Sequence, residues 1–282
     1  MACSTMKLGA FDVFWLPGGT FRLDGGTMFG PVPKVLWSKK YSVAADNTIE
    51  MCNDPLFIVA PDRKILIDTG LGVKLTQKQN AIFQVGPQWS IPAALSELGY
   101  SCADVTDVVL THCDFDHAGG LEMVDAAGEN IPVFGNAQYW VQKDEWEDVQ
   151  NPDIRAEATY LPENFVFTKG CEGLKLVAGR MEICPGVTVV HTGGHTRGHQ
   201  MVEISSDGEV AVHLGDLFPT TAHVNPLWVM AYDNFPLEVI QKKRELFAQY
   251  SRQKAWFTLY HDPLVGACRL DDQCRIIEKK LR

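Results

Sequence analysis

Thr111-His112-Cys113-Asp114-Phe115-Asp116-His117-Ala118-Gly119-Gly120 is the stretch on which the reading of this chain turns. It continues a run of β-branched and apolar residues, Asp107-Val108-Val109-Leu110-Thr111, that reads as a buried strand. Two imidazoles and two carboxylates are therefore delivered to the end of that strand. If the backbone there is extended, residues 112 and 114 share one direction and Cys113 points the other way. The following turn, which Gly119-Gly120 permits, displaces Asp116 and His117. A lone His-x-x-x-x-His pair carries little information, but two Asp between two His is a much rarer run. Without a cation the neighbouring carboxylates would repel each other. Imidazole with carboxylate is ligand chemistry for Zn, Fe and Mn, and the displacement suits two neighbouring metals.

Further outward, other strands end in the same residue types. Val187–His191 leads to Gly194-His195, Val210–Leu214 to Gly215-Asp216, and Trp256–Tyr260 to His261. A sheet brings such strand ends together although residues 117, 195, 216 and 261 are far apart in sequence. Leu56–Val59 and Lys64–Asp68 read as two strands around a Pro61-Asp62 turn, and Met201–Ser205 as another. Ile91–Leu98 and the segment opened by Pro236 carry helical spacing with proline in the first turn, where its missing N–H costs least. Arg275–Arg282 reads as a solvated terminal helix. Strands with intervening helices predict layered α/β, sheets flanked by helices.

The 282 residues are ample for a buried core, and no repeat or linker divides them, so one domain over 1–282 is expected. The net charge of −10 disfavours nucleic acid as a partner. No apolar run is long enough to cross a bilayer and the first residues do not read as a secretory signal, so a cytoplasmic protein is expected. The eight cysteines, at 3, 52, 102, 113, 171, 184, 268 and 274, form no Cys-x-x-Cys pair and read as reduced thiols. A small-molecule substrate is the expected partner, and a homodimer is compatible with the sequence.

The chain resembles the metallo-β-lactamase superfamily. The resemblance is carried by His112-Cys-Asp-Phe-Asp-His117, Thr192-Gly-Gly-His-Thr-Arg-Gly-His199, Leu214-Gly-Asp216, Tyr260-His261-Asp262 and the upstream Ile65-Leu-Ile-Asp-Thr-Gly70. It implies a four-layer αββα sandwich and two divalent metal ions, zinc first, with iron or manganese as alternatives. It implies that His112, Asp114 and His195 hold the first metal, that Asp116, His117 and His261 hold the second, and that Asp216 bridges them. His199 would stand behind the ligands, and Asp68 would orient a ligand imidazole by accepting its other N–H. The family usually has His where this chain has Asp114. Two divalent ions bring +4, the three aspartates −3, and a bridging hydroxide closes the sum at zero, one less than the usual set. Such a harder site accepts iron or manganese more readily, and its bound water is less acidic.

The expected reaction is hydrolysis of an ester-like bond, a lactone or carboxylic ester, by metal-bound hydroxide. Within the superfamily the chain most resembles the lactonase-like and organophosphate-hydrolase-like branches. A lactonase tyrosine is missing after the bridging position, where Asp216 is followed by Leu217, Phe218 and Pro219, so His223 and Tyr232 are the expected donors beside Asp116 and Asp216. Phe11–Leu16, Met28-Phe29, Trp37 and Leu227–Met230 could line an apolar pocket, Trp228 foremost. The alternatives are a diiron oxidoreductase-type site, a phosphoester or phosphotriester hydrolase, a nuclease-like enzyme, or a non-catalytic binding protein on an enzyme fold.

Overall fold

Residues 3–86, 89–166 and 172–282 are described by a computed structural model. Two seven-stranded sheets dominate it. The first runs, in spatial order, Ser4–Leu8, Phe11–Trp15, Leu56–Val59, Lys64–Ile67, Asp107–Val109, Gln138–Gln142 and Leu174–Val177. The second runs Arg180–Cys184, Val187–His191, Gln200–Ser206, Glu209–His213, Trp256–Thr258, Val265–Leu270 and Ile276–Leu281.

Strand alternation explains the layering. Ile58, Ile65, Ile67 and Val109 face inward against Val187, Val189, Val202, Ile204 and Ala211 of the other sheet. Their chain neighbours Phe57, Leu66 and Val108 face the opposite way and pack on Ile91, Ala94 and Leu95 of the helix Ile91–Glu97. On the far side Val212, Phe257 and Cys268 pack on Val239, Phe247 and Tyr250 of the helix Pro236–Arg252. Strands buried on both faces read as continuous apolar runs, as these do. The result is the expected αββα sandwich.

Two local expectations are corrected. The strand expected over 107–111 stops at Val109, because Thr111 N–H bonds the Asp68 carboxylate at 2.7 Å in place of a ladder carbonyl. Residues 276–281 form an edge strand rather than a terminal helix, antiparallel to Val265–Leu270. Glu278 and Lys279 are exposed along that edge, and charged side chains there are a common way of keeping an edge from pairing further. Just after the strand, Arg282 bonds the carbonyl of Leu259 at 2.7 Å and pairs with Asp54.

The described cysteines are free thiols, and Cys171 lies outside the described residues. Among the described residues no helix is long and apolar enough to cross a membrane.

Candidate metal centre and substrate cavity

Strand ends and the loops after them converge at one edge of the sandwich. Three donor groups form there: His112, Asp114 and His195; Asp116, His117 and His261; and His112, His117 and Asp216 across the middle. Asp114 Oδ2 stands 3.6 Å from His112 Nε2 and 3.5 Å from His195 Nε2. Asp116 Oδ2 stands 3.7 Å from His117 Nε2 and 3.6 Å from His261 Nε2. Asp216 divides its two oxygens. Oδ1 lies 3.3 Å from His117 Nε2 and 3.1 Å from His261 Nε2, while Oδ2 lies 3.6 Å from His195 Nε2.

These spacings fit metal ions. Ligands at about 2.0–2.2 Å from one ion stand roughly 3.0–3.6 Å from each other. His112 Nε2, His195 Nε2 and Asp216 Oδ1 are buried with no hydrogen-bond partner among the described residues, which is costly unless something else satisfies them. The ion-pair partners of Asp114, Asp116 and Asp216 among the described residues are imidazoles, not lysine or arginine. The donor set carries the negative charge and the vacant lone pairs that cations would use.

Each imidazole is aimed by its other nitrogen. His117 Nδ1 is 2.9 Å from Asp68 Oδ2, His195 Nδ1 is 2.9 Å from Asp233 Oδ1, His261 Nδ1 is 2.8 Å from the Cys52 carbonyl, and His112 Nδ1 is 3.0 Å from Thr111 Oγ1. A ring that donates from Nδ1 presents Nε2 as the lone pair. Asp68 does this from a left-handed backbone, φ 61°, a strained position for a non-glycine residue. Burial pushes its carboxyl up, but His117 and His213 outweigh this and hold it well below the usual range. His199 is packed 5.4 Å, ring to ring, from His112 and bonds Thr192 Oγ1 at 2.6 Å. Burial holds it neutral, its pKa well below the ordinary imidazole value.

Cys113 points into the core beneath, where burial pushes its thiol up. Its N–H bonds the buried Glu145 carboxylate, which also accepts from Tyr160 and Thr196. Gly119 and Gly120 are not needed for a left-handed turn. A Cβ on Gly120 would fall 2.2 Å from the Thr69 carbonyl oxygen, so close backbone approach is what excludes a side chain.

The centre floors a cavity of about 240 Å³. Phe83 stacks on Phe115 at 4.6 Å, with Phe21 edge-on to both at 6.4 and 6.3 Å. Met28 and Met230 complete the apolar wall, and Tyr232 stands at the cavity with its hydroxyl 2.7 Å from Thr27 Oγ1. Other expectations fail here. His223 is stacked on Phe29 at 4.7 Å, with one ring nitrogen 2.8 Å from Thr220 Oγ1 and the other 2.8 Å from the Met28 carbonyl. Both nitrogens are committed and burial lowers its pKa to about 3, so it is placed to brace the wall and not to donate to a substrate. Trp228, Phe29 and Trp37 pack behind the wall, in the layer that supports it, and do not line the cavity. The expectations missed Asp233, for which a Tyr-Asp-Asn loop gives no sequence signal, and Phe115, which sits inside the quoted motif.

A profile of the metallo-beta-lactamase superfamily matches residues 54–246. The chain belongs to that superfamily. It is 39% identical to a probable metal-dependent hydrolase from Staphylococcus aureus, whose crystal structure superposes with a TM-score of 0.92 over 98% of this chain and 99% of that one. An N-acyl homoserine lactonase from Bacillus sp. is 28% identical over 64% of this chain and 71% of its own length. AidC, a dizinc quorum-quenching lactonase, shares the fold at 21% identity and a TM-score of 0.79, covering 100% of this chain and 97% of that one. The protein is thus a metallo-hydrolase of the superfamily.

Proposed function

We propose that the chain, as one domain, is a dinuclear metal enzyme of the cytoplasm that hydrolyses an ester-like bond, a lactone or a carboxylic ester. In this reading His112, Asp114 and His195 hold one ion, Asp116, His117 and His261 the other, and Asp216 spans both. The observation that carries it is the division of Asp216, one oxygen toward each half of the donor set, on the floor of an apolar cavity. Bound divalent ions supply a Lewis acid and lower the pKa of water to roughly 7. The chain's own residues do the rest. Asp68, Asp233 and the Cys52 carbonyl fix the imidazoles, which spares reorganisation when the substrate arrives. Phe21, Phe83 and Phe115 seat the apolar part of the substrate and exclude water. The Tyr232 hydroxyl, at the wall, is assigned to the substrate's oxygen, toward which it would turn from its bond to Thr27 Oγ1. Lactonase relatives support the choice of bond.

Zinc is proposed as the metal, with iron and manganese as competitors because Asp114 makes the set more oxygen-rich. The test is elemental analysis of the purified protein, then assay on lactones and carboxylic esters before and after chelation. Activity lost to the chelator and restored by zinc is expected. Turnover that survives complete metal removal would overturn the reading. Stoichiometric iron with a visible charge-transfer band would move it to the diiron oxidoreductase alternative.

A further inference from the structure

Beyond Thr159 and Tyr232 the cavity adjoins a polar annex of about 70 Å³, and Asp114 borders both spaces. Most hydroxyls facing the annex are already committed. Tyr160 and Thr196 donate to the Glu145 carboxylate at 2.8 and 2.5 Å, and Thr159 donates to the Ala156 carbonyl at 3.2 Å. Tyr232, which borders the annex as well, has its hydroxyl against Thr27 Oγ1 and is assigned to the substrate's oxygen, so among the described residues the remaining uncommitted side-chain donors are those of Arg155 and Asn234. The Arg155 guanidinium gives Nε to Asn234 Oδ1 at 3.0 Å and one Nη2 hydrogen to the Ala231 carbonyl at 2.8 Å. The rest of its fork has no partner among the described residues. The same bond fixes the Asn234 amide with its oxygen toward Arg155, leaving its NH₂ group free to donate.

The charge balance points the same way. No carboxylate lies within ion-pair distance of Arg155 among the described residues; Asp153, the acid on its own loop, spends Oδ1 on the backbone N–H groups of Arg155 and Ala156. The acid that lines the annex is Asp114, whose charge would be taken up when it holds an ion. A planar, doubly donating cation beside a free amide is the arrangement that recognises a carboxylate.

Building on the hydrolase reading, we infer that the annex is a subsite for a carboxylate carried by the substrate, with Arg155 as its reader. The preferred substrate is then an acidic ester or lactone. Its anionic substituent lies in the annex while the scissile carbonyl lies over the metal centre and the apolar remainder against the phenylalanines.

The experiment compares two five-membered lactones that differ in one substituent, a ring carboxylate against the isosteric ring carboxamide, on the metal-loaded enzyme. The wild type is expected to favour the carboxylate in kcat/KM. Arg155→Gln is expected to reduce the carboxylate-to-carboxamide ratio about tenfold, the low end for a hydrogen-bonded charge, because Arg155 is exposed. Arg155→Lys keeps the charge without the fork and should retain the direction of the preference. A ratio unchanged in Arg155→Gln would overturn the inference, since loss of the ties to Asn234 and Ala231 alone affects both lactones alike. A wild-type preference for the carboxamide would overturn it as well. Turnover of the carboxamide with no carboxylate preference leaves the hydrolase reading standing. If neither lactone is turned over, the lactone choice within the hydrolase reading fails, and calorimetric binding of cyclopentanecarboxylate decides the subsite: weaker binding to Arg155→Gln supports it, and equal binding ends it.

Discussion

His195 illustrates how much of the proposed metal centre lies behind its donor atoms. Its Nε2 faces Asp114 and Asp216, but its orientation is set by Asp233, which is 4% exposed and also accepts the Met230 N–H at 2.8 Å. Asp233→Asn can keep the shape but presents a neutral amide to Nδ1, weakening the imidazole's basicity and loosening its tautomer. Metal affinity should fall about 10–100-fold, the range typical for such partners. Competition against a chromophoric chelator measures it, and an unchanged affinity would show that packing alone holds the ring. At this scale the sequence was most readable where the chemistry is contiguous. His112 to His117 announce themselves because carboxylates and imidazoles that close need a reason. Asp233 does not, because its role depends on a contact made 38 residues away from His195. His223 misleads for the complementary reason: an imidazole near a cluster of its own kind looks chemical until both its nitrogens are found bonded.

The elements show the same division between local and distant causes. Runs such as Leu56–Val59, Lys64–Ile67 and Val187–His191 were readable because β-branched and apolar residues leave few alternatives. Ile276–Leu281 was not, since its charged residues suit an exposed helix as well as an edge strand, and only pairing with Val265–Leu270 decides. The cavity wall was hidden likewise, because Phe21, Phe83 and Phe115 meet from three separate segments. The turn after His117 is legible as a glycine pair, yet for a different reason than freedom of φ. A methyl group at position 120 would meet the Thr69 carbonyl oxygen at 2.2 Å and the Trp89 indole nitrogen at 2.7 Å. Backbone cannot yield as a side-chain tip can. Gly120→Ala is therefore expected to cost about 1–3 kcal/mol in denaturant unfolding, as overpacking of a filled interior does. A stability within error of wild type would mean that the loop carrying His117 has room to shift.

Across the whole molecule, a buried amine ties the outer helix Pro236–Arg252 to the loop beside the proposed metal centre. Lys243, 1% exposed, reaches from that helix to the carbonyls of Trp228 at 2.8 Å and Asn225 at 3.4 Å, and so pins the loop that carries Met230, Tyr232 and Asp233. Burial pulls its pKa from the ordinary 10.5 down to about 7, with Asp233 opposing part of the shift. Between about pH 7 and 10.5 the unfolded chain holds a proton on this amine that the folded chain has lost, so stability attributable to Lys243 rises with pH across that window. Below it both states are charged and the cost of burying an ammonium is borne in full. Lys243→Met removes the titration and leaves two carbonyls without their donor. Unfolding in urea at pH 7 and pH 9.5, with metal concentration held constant, should show the wild type gaining stability relative to the variant by a few kcal/mol. Other titrating groups are common to both proteins and cancel in the difference. Two stability profiles that stay parallel over this interval would mean that the amine is solvated in the folded protein, and the tie between helix and metal centre would then have to be sought in packing alone.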